Sequence, residues 1–404
     1  QVGATRGTPS FVQWDIARAE QRAAPPLRVC LSTDGTQVAF LLEGEGAIRV
    51  HDIEAGGVLG GLLWTSDRTK YLVLDFAWDG RDLISWAVPG AIEKMAASVR
   101  EGSGDEGDRV WDYVGAHSEL VAFAPPPTAP RKLLDGGGVP LFNADRSMLA
   151  ICDPTSISLD RKRTKNRFSA ATYSWPALSP IRVTVADKDW TSLIEEGGRR
   201  DQYPLLLSGN QDNYIILPGS VTGAAYEGSS LPVGVDAIYS LSLVTGRFLP
   251  LTNAEERRLP QVSLSGLPTI VEVDGRHLLA CLLMQWKSAP WRLVYLDGDG
   301  TIVRQYRLGL SLTVFDNIFG RRADWLPKAI TPDGRNLIVQ DTGRRDHEVS
   351  ARHWVYSLDL EKMTGVPIAE LSDIEQVYGW AQGGGLVVGV SAGADKPLQI
   401  GTLR

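Results

Sequence analysis

The stretch that decides the fold runs from Leu31 to Gly56 and reads LSTDGTQVAFLLEGEGAIRVHDIEAG. The pair Asp34-Gly35 is followed by the apolar segment QVAFLL, a Gly-rich loop, and a second alternating segment. Asp-Gly pairs supply the left-handed backbone conformations of tight hairpins, and β-branched and aromatic residues favour strands. The stretch therefore predicts antiparallel strands joined by hairpin turns.

The same order recurs along the chain. Residues Ile330 to Gly343, ITPDGRNLIVQDTG, give the second clear copy. The seven turn markers are Asp34, Asp79, Asp145, Asp212, Asp274, Asp333 and Gly384. Their spacing of 45 to 67 residues suits four-stranded units that cannot bury both faces alone and so stack radially. The sequence predicts an all-β fold, a seven-bladed β-propeller of four-stranded antiparallel blades.

The pattern also predicts a domain organisation. We expect residues 1–26 to form an N-terminal segment that closes the last blade, and residues 27–404 to form the propeller, with inserts at 89–109 and 153–172. Only three strand patterns remain for the last blade, so SFVQWDI, from Ser10 to Ile16, is expected to cover its open edge. Helical periodicity is limited to FVQWDIARAEQRAA, from Phe11, and AIEKMAASVREG, from Ala91.

The blade pattern resembles the TolB-like and tryptophan-aspartate-repeat propellers, and more closely the N-terminal propeller domain of prolyl-oligopeptidase-family serine peptidases. The resemblance rests on Ser32-Thr33-Asp34-Gly35, Thr331-Pro332-Asp333-Gly334, IYSLSLVTGRFLPLT and the tail GLVVGVSAGADKPLQIGTLR. It implies that a C-terminal α/β-hydrolase domain follows and holds the nucleophile, acid and histidine. Since the chain stops at Arg404, where such a domain would begin, we expect the hydrolase outside this chain.

The resemblance further implies a non-catalytic domain that gates and binds peptide substrate. Its expected partners are an α/β-hydrolase domain or chain and a peptide, and an isopeptidase that opens lasso peptides is a conceivable subtype. The alternative is a free-standing exported propeller that binds a protein or a glycan through its mouth. A third hypothesis, catalysis on the propeller itself, finds no converging carboxylate pair or metal set in the sequence.

The sequence contains one motif of nucleophile type, Gly389-Val390-Ser391-Ala392-Gly393. In a hydrolase elbow of this kind a helix follows the serine, and the acid and histidine come later in the chain. All five histidines precede Ser391. We therefore predict that Ser391 is inert and that no catalytic residue lies in this chain, which would make it a part of a serine peptidase rather than a complete enzyme.

Two charged inserts interrupt the blade pattern. The acidic loop from Gly102 to Asp108 is expected to be mobile. The basic loop places Arg161, Lys162, Arg163, Lys165 and Arg167 within seven residues, which predicts either a contact with an anionic partner or substrate, or solvated surface. Substrate or partner contacts at one channel mouth are also predicted for Arg321, Arg322, Arg344 and Arg345.

Acidic turns raise the question of metal binding. The segment LDGDG, from Leu296 to Gly300, superficially matches a calcium loop, but Leu308 stands where an EF-hand has its closing Glu. We interpret the Asp-Gly pairs as hairpin turns and expect no metal and no cofactor.

Composition limits the remaining classes. A formal net charge of -7 argues against nucleic-acid binding, and no apolar run is long enough to span a bilayer. Cys30, Cys152 and Cys281 are too few for a disulfide framework and suit buried thiols. The first residue is Gln1 rather than Met, which suggests a processed, periplasmic or extracellular protein, with a cytoplasmic location as the alternative. The twelve tryptophans are spread along the chain, which predicts packing between blades, although aromatic platforms would also suit a glycan-binding propeller.

Overall fold

The computed structural model describes most of the chain in separate ranges. These are residues 11–12, 26–32, 34, 36–42, 46–54, 58–90, 106–124, 129–153, 167–187, 204–209, 212–222, 234–251, 262–285, 292–308, 325–330, 336–341, 352–359, 364–371, 374–380, 386–390 and 399–403. Side chains are described only within residues 30–306.

The first four sheets are four-stranded, antiparallel and built from consecutive strands. The first consists of β2 (Pro26–Leu31), β3 (Gln37–Leu42), β4 (Ile48–Glu54) and β5 (Val58–Thr65). The second consists of β6 (Tyr71–Trp78), β7 (Leu83–Pro89), β8 (Glu119–Phe123) and β9 (Arg131–Asp135). The third consists of β10 (Val139–Phe142), β11 (Met148–Cys152), β12 (Ser169–Ser174) and β13 (Pro180–Val185). The fourth consists of β14 (Leu205–Ser208), β15 (Asn213–Thr222), β16 (Gly234–Ser242) and β17 (Phe248–Pro250).

The next eight strands form a single sheet, which differs from the prediction. It contains two antiparallel runs, β18 (Val262–Val273), β19 (Arg276–Gln285), β20 (Arg292–Leu296) and β21 (Ile302–Leu308), then β22 (Trp325–Ile330), β23 (Asn336–Asp341), β24 (Arg352–Asp359) and β25 (Thr364–Leu371). The fourth strands of the two runs, β21 and β25, pair in parallel over two residues. The described residues thus contain five separate four-stranded sheets and one eight-stranded sheet, rather than seven separate sheets.

The last sheet combines both ends of the described chain. Strands β26 (Ile374–Trp380), β27 (Leu386–Val390) and β28 (Gln399–Leu403) are followed in space by β1 (Phe11–Val12). Phe11 lies opposite Leu403 and Val12 opposite Thr402, in antiparallel register. The first residues of FVQWDIARAEQRAA are therefore strand, not helix, because the open edge of β28 offers unpaired backbone groups.

The sheets follow one another around a ring. The first strand of each four-stranded run contacts the first strand of the next run. These contacts join β2 to β6, β6 to β10 and β10 to β14, and then β18 to β22, β22 to β26 and β26 back to β2. Between these two series, β16 contacts β18 and β14 contacts β19. This closed order of four-stranded antiparallel units defines a β-propeller.

Burial follows the position of each strand in its sheet. In β7, near the axis, every residue from Leu83 to Val88 is buried, because a neighbouring sheet covers each face. In β13, at the rim, only Thr184 is buried. The core therefore lies between sheets, for example where Ile48 and Val50 of the first sheet pack with Phe76 of the second.

Tryptophans contribute to this packing, as expected. Trp78 and Trp86 are buried, and the Trp78 Nε1 group donates to the Cys30 carbonyl of the preceding sheet at 3.2 Å. Trp64 stacks on Phe123 across the same junction, with ring centroids 6.3 Å apart. The remaining tryptophans, apart from half-buried Trp175, have side chains outside the described residues.

Candidate functional site

The strand order gives the propeller two distinct faces. In an antiparallel sheet of consecutive strands, connections alternate between the two ends of the strands. The first-to-second and third-to-fourth connections lie at one end. The second-to-third connection and the connection from the fourth strand to the next sheet lie at the other end. We call the first the turn face and the second the insert face. All seven turn markers fall between a first and a second strand, and hence on the turn face, although Asp333 and Gly384 themselves lie outside the described residues.

All seven predicted site arginines fall in connections at the insert face. Arg161, Arg163 and Arg167 lie between β11 and β12, Arg321 and Arg322 between β21 and β22, and Arg344 and Arg345 between β23 and β24. Arg167 is exposed, directly before Phe168 and β12. The other six lie outside the described residues. The strand ends that flank these three connections lie at the insert face.

The predicted acidic loop also belongs to the insert face, between β7 and β8, but part of it is helical. Helix α1 spans Glu106–His117, so Glu106 to Asp108 form its first turn rather than a loop. The reason is an apolar stripe at helical spacing: Val114 is buried in a cluster with Trp86, and Val110 and Tyr113 pack against the same cluster. Residues 91–105, including all of the predicted helix AIEKMAASVREG, lie outside the described residues.

The predicted basic insert is likewise shorter than 153–172. Strand β12 begins at Ser169 and pairs with β11 from its second residue, Ala170, onward. Phe168 is fully buried, and the Ala186 amide donates to its carbonyl at 2.8 Å. The sheet therefore continues up to the residue that follows Arg167.

On the turn face, Asp34 and Asp145 accept hydrogen bonds from residues of their own turns. Asp34 Oδ1 accepts the Thr36 amide at 3.0 Å and the Ser32 hydroxyl at 2.6 Å, and this hydroxyl bond is the main cause of the lowered Asp34 pKa. Asp145 accepts the Ser147 amide and hydroxyl in the same way, and its pKa is lowered for the same reason. The hydrogen bonds of these carboxylates within their own turns account for the aspartates, which stabilise the hairpins.

The hairpin interpretation is confirmed at Asp274-Gly275, where φ is 52° and 71°. Both residues are left-handed, as a two-residue hairpin of this type requires. In the calcium-like segment, Asp297 Oδ1 accepts the amides of Asp299 and Thr301 at 3.1 and 2.9 Å. Within the described ranges, no group of three or more His, Cys, Asp or Glu residues is arranged to hold a metal ion.

Polar side chains link neighbouring sheets, and two of them, Ser240 and Thr184, are buried. Ser240, fully buried, donates its hydroxyl to the Gly298 carbonyl of the next sheet at 2.7 Å. Thr184 donates to the Leu243 carbonyl at 2.8 Å, and Asp187 accepts the Phe248 amide at 2.8 Å. These bonds fix the order and spacing of the sheets, on which the geometry of both faces depends.

Neither the strand before Ser391 nor the buried cysteines show the features of a nucleophile site. Ser391 lies outside the described residues, but β27 before it pairs antiparallel with β28, the next described element, whereas an elbow leads into a helix. Cys152 and Cys281 are fully buried, and burial raises the pKa of both thiols. A buried neutral thiol is a poor nucleophile.

The fold is that of a β-propeller. Comparisons with solved structures found several proteins of low sequence identity. They include an oligogalacturonate lyase from Vibrio parahaemolyticus, with 10% identity, 98% of this chain and 97% of that chain covered, and a TM-score of 0.49. The tricorn protease has 9% identity, with 99% of this chain and 34% of that chain covered, and a TM-score of 0.49. A prolyl endopeptidase structure has 11% identity, with 89% of this chain and 45% of that chain covered, and a TM-score of 0.45. At such identities the likeness concerns the fold alone. No protein-family model and no curated protein matches the sequence. Among the described residues no helix is long and apolar enough to cross a membrane.

Proposed function

We propose that this chain is a non-catalytic propeller that binds and admits peptide substrate for a prolyl-oligopeptidase-like serine peptidase, whose hydrolase domain lies outside residues 1–404. The observation that carries the proposal is the division between the two faces. The charged inserts and all seven predicted site arginines belong to connections at the insert face, opposite the aspartate-bonded turns.

The proposal includes the number of blades. We count the eight-stranded sheet as two blades, because each of its halves is a complete antiparallel run of four consecutive strands. Among the described residues, the backbone pairing between the two halves is limited to the two-residue parallel pairing of β21 with β25, while β18 and β22 are in contact as neighbouring first strands are elsewhere in the ring. On this count the propeller has seven blades around one axis.

Charge supports an anionic ligand for the insert face. The chain as a whole is acidic, so a cluster of five basic residues is a local exception that attracts carboxylates or an acidic partner surface. Exposed ion pairs contribute little singly, but several act together and respond to salt. The basic loop is therefore the part of this face to test first.

The test compares two charge-removal variants. In the first, Arg161, Lys162, Arg163, Lys165 and Arg167 become Ser. In the second, four exposed arginines at or next to turn-face connections become Ser, which lowers the net charge similarly: Arg81, Arg131, Arg247 and Arg276. Binding of a fluorescein-labelled glutamate-rich peptide is titrated at several salt concentrations.

We expect the first variant to lose affinity and most of the salt dependence, and the second to bind like the original chain. Equal losses in both variants would attribute binding to bulk charge and overturn the assignment to the insert face. The peptidase assignment has its own test, the coding sequence beyond Arg404, where a second G-x-S-x-G followed by Asp and His is expected. A coding sequence that ends at Arg404 would contradict it.

The last sheet favours a second candidate function, a free-standing exported propeller that binds a protein or a glycan. Strand β1 completes this sheet from within the chain, so no strand from another domain is needed to close the ring. Both candidates place binding on the insert face, and the peptide titration applies to either. An export signal in the full coding sequence, without a hydrolase, would favour the second.

A further inference from the structure

One arginine on the turn face departs from the repeat that surrounds it. At four of the six marker aspartates the next residue is glycine, as in Asp79-Gly80 and Asp274-Gly275, and at Asp212 the next residue is Asn213. In the third sheet the corresponding pair is Asp145-Arg146, and Arg146 has a φ of 59°. A residue with a Cβ atom is strained in this left-handed conformation, whereas glycine is not. The third turn therefore holds a strained arginine at the position where the second turn has a glycine, Gly80, with a φ of 118°.

The Arg146 side chain packs against the first strand of its own sheet. Its Cζ atom lies 5.4 Å from the centroid of the Phe142 ring, in cation–π geometry. Burial lowers the Arg146 pKa, and the electrostatic influence of Cys30 and Asp79 opposes this shift. Arg146 lies in the turn between β10 and β11, and β10 is a first strand that contacts the first strands β6 and β14 of the neighbouring sheets. The turn that carries Arg146 therefore lies at the inner part of the ring.

The hydrogen-bonding capacity of this guanidinium is not used within the described part of the chain. Its Nε atom is buried without a hydrogen-bond partner, and no described carboxylate forms an ion pair with it. The two nearest aspartates serve their own turns: Asp79 accepts the amides of Arg81 and Asp82, and Asp145 accepts Ser147. A partly desolvated guanidinium with free donors is suited to a planar anion, which it binds through two parallel hydrogen bonds.

We propose that Arg146 binds a carboxylate group of a ligand at the turn-face mouth of the propeller. Phe142 orients the guanidinium, and the half-buried position removes competing water. This site lies at the opposite end of the axis from the insert face, so it is independent of the function proposed above.

The test uses three probes and isothermal titration calorimetry with the intact chain. The probes are N-acetyl-trialanine with a free carboxylate, its C-terminal amide, and sodium acetate. We expect the free-carboxylate peptide to bind at least tenfold more tightly than the amide, since a charge-assisted hydrogen bond is lost in the amide. Acetate that binds as tightly as the acidic peptide would identify a small free carboxylate as the ligand, and weaker acetate binding would identify a peptide terminus. Equal binding of the acid and amide peptides, or no binding of any probe, would overturn the proposal.

Variants separate ligand binding from a structural role. Arg146→Gly relieves the left-handed strain, so it should unfold at the same temperature as the original chain or higher, yet lose carboxylate binding. Arg146→Lys keeps the charge but not the planar fork, and should bind severalfold more weakly. Asp79→Asn removes a nearby negative charge while keeping the turn acceptor, and should tighten binding. A marked loss of thermal stability in Arg146→Gly would instead show that the arginine supports the fold.

Discussion

The junction between the fourth sheet and the eight-stranded sheet gives a sharp steric test. A Cβ atom at Gly298 would lie 2.0 Å from Tyr214 Cδ2 and 2.3 Å from Cε2, far inside ordinary van der Waals contact. The tyrosine is also tied to the neighbouring residue, because its hydroxyl donates to Asp299 at 3.3 Å. The glycine is held too, since its carbonyl accepts the buried Ser240 hydroxyl at 2.7 Å. Neither partner can move without breaking a bond between sheets.

We therefore expect Gly298→Ala to reduce the free energy of unfolding by about 2–4 kcal/mol, the sum of overpacking and a weakened buried hydrogen bond. For a domain of this length that corresponds to roughly 2–5 °C in the unfolding temperature. Circular dichroism during heating and in urea measures both quantities. The matched control is Gly61→Ala in β5, where a Cβ atom meets nothing within 4 Å, and which should be neutral or slightly stabilising.

A double variant isolates the cause. In a Tyr214→Leu background the ring is absent, so Gly298→Ala should be much less destabilising than in the original chain. If Gly298→Ala unfolded within about 0.5 kcal/mol of the original chain, the usual range for surface substitutions, or if its effect were unchanged by Tyr214→Leu, the steric reasoning would be refuted.

Three further predictions concern the turns, the closing strand and the serine motif. The Asp145 pKa is lowered in the folded state, so its carboxylate stabilises the fold at pH values above its unfolded pKa, and this stability is lost as pH falls through the folded pKa. Asp145→Asn should therefore make the free energy of unfolding less dependent on pH in the acid range. An unchanged pH dependence in this variant would contradict the prediction. Cysteines at Phe11 and Leu403 should form a disulfide on mild oxidation, whereas the Phe11 and Thr402 pair, one residue out of register, should react poorly; the reverse order would disprove the register. A fluorophosphonate probe should leave Ser391 unlabelled, and labelling would show that it is nucleophilic.

The sequence predicts the hairpins well because their chemistry is local. The marker aspartate stabilises its turn because its carboxylate accepts a hydrogen bond from the amide two residues later, as at Asp34, Asp79 and Asp145. Each described marker accordingly falls between a first and a second strand. The pairing of β21 with β25 is different in kind. It joins strands more than fifty residues apart in the chain, through the backbone of Arg307 and Thr364, and no side-chain pattern marks it.

The helix and the arginine site were missed for separate reasons. Helix α1 begins inside an acidic, glycine-containing segment, and its only signal is the apolar stripe of Val110, Tyr113 and Val114. Arg146 was missed because its signal is a departure from the repeat, visible when Asp145-Arg146 is aligned with the Asp-Gly pairs. The seven site arginines were predicted from charge alone, and the sequence did not show that the strand ends flanking their connections share one face.

The pairing of β1 with β28 bears on how the molecule can be rewired. Because Phe11 lies opposite Leu403 in antiparallel register, the end of β28 and the start of β1 are arranged as the two arms of a hairpin that lacks only its turn. A two-residue Asn-Gly linker from Leu403 to Phe11 would make the polypeptide continuous. The exposed turn at Arg68 and Thr69, between β5 and β6, then offers a place to cut new termini. Such a circular permutant would carry the same ring with its ends moved from the last sheet to the junction of the first two.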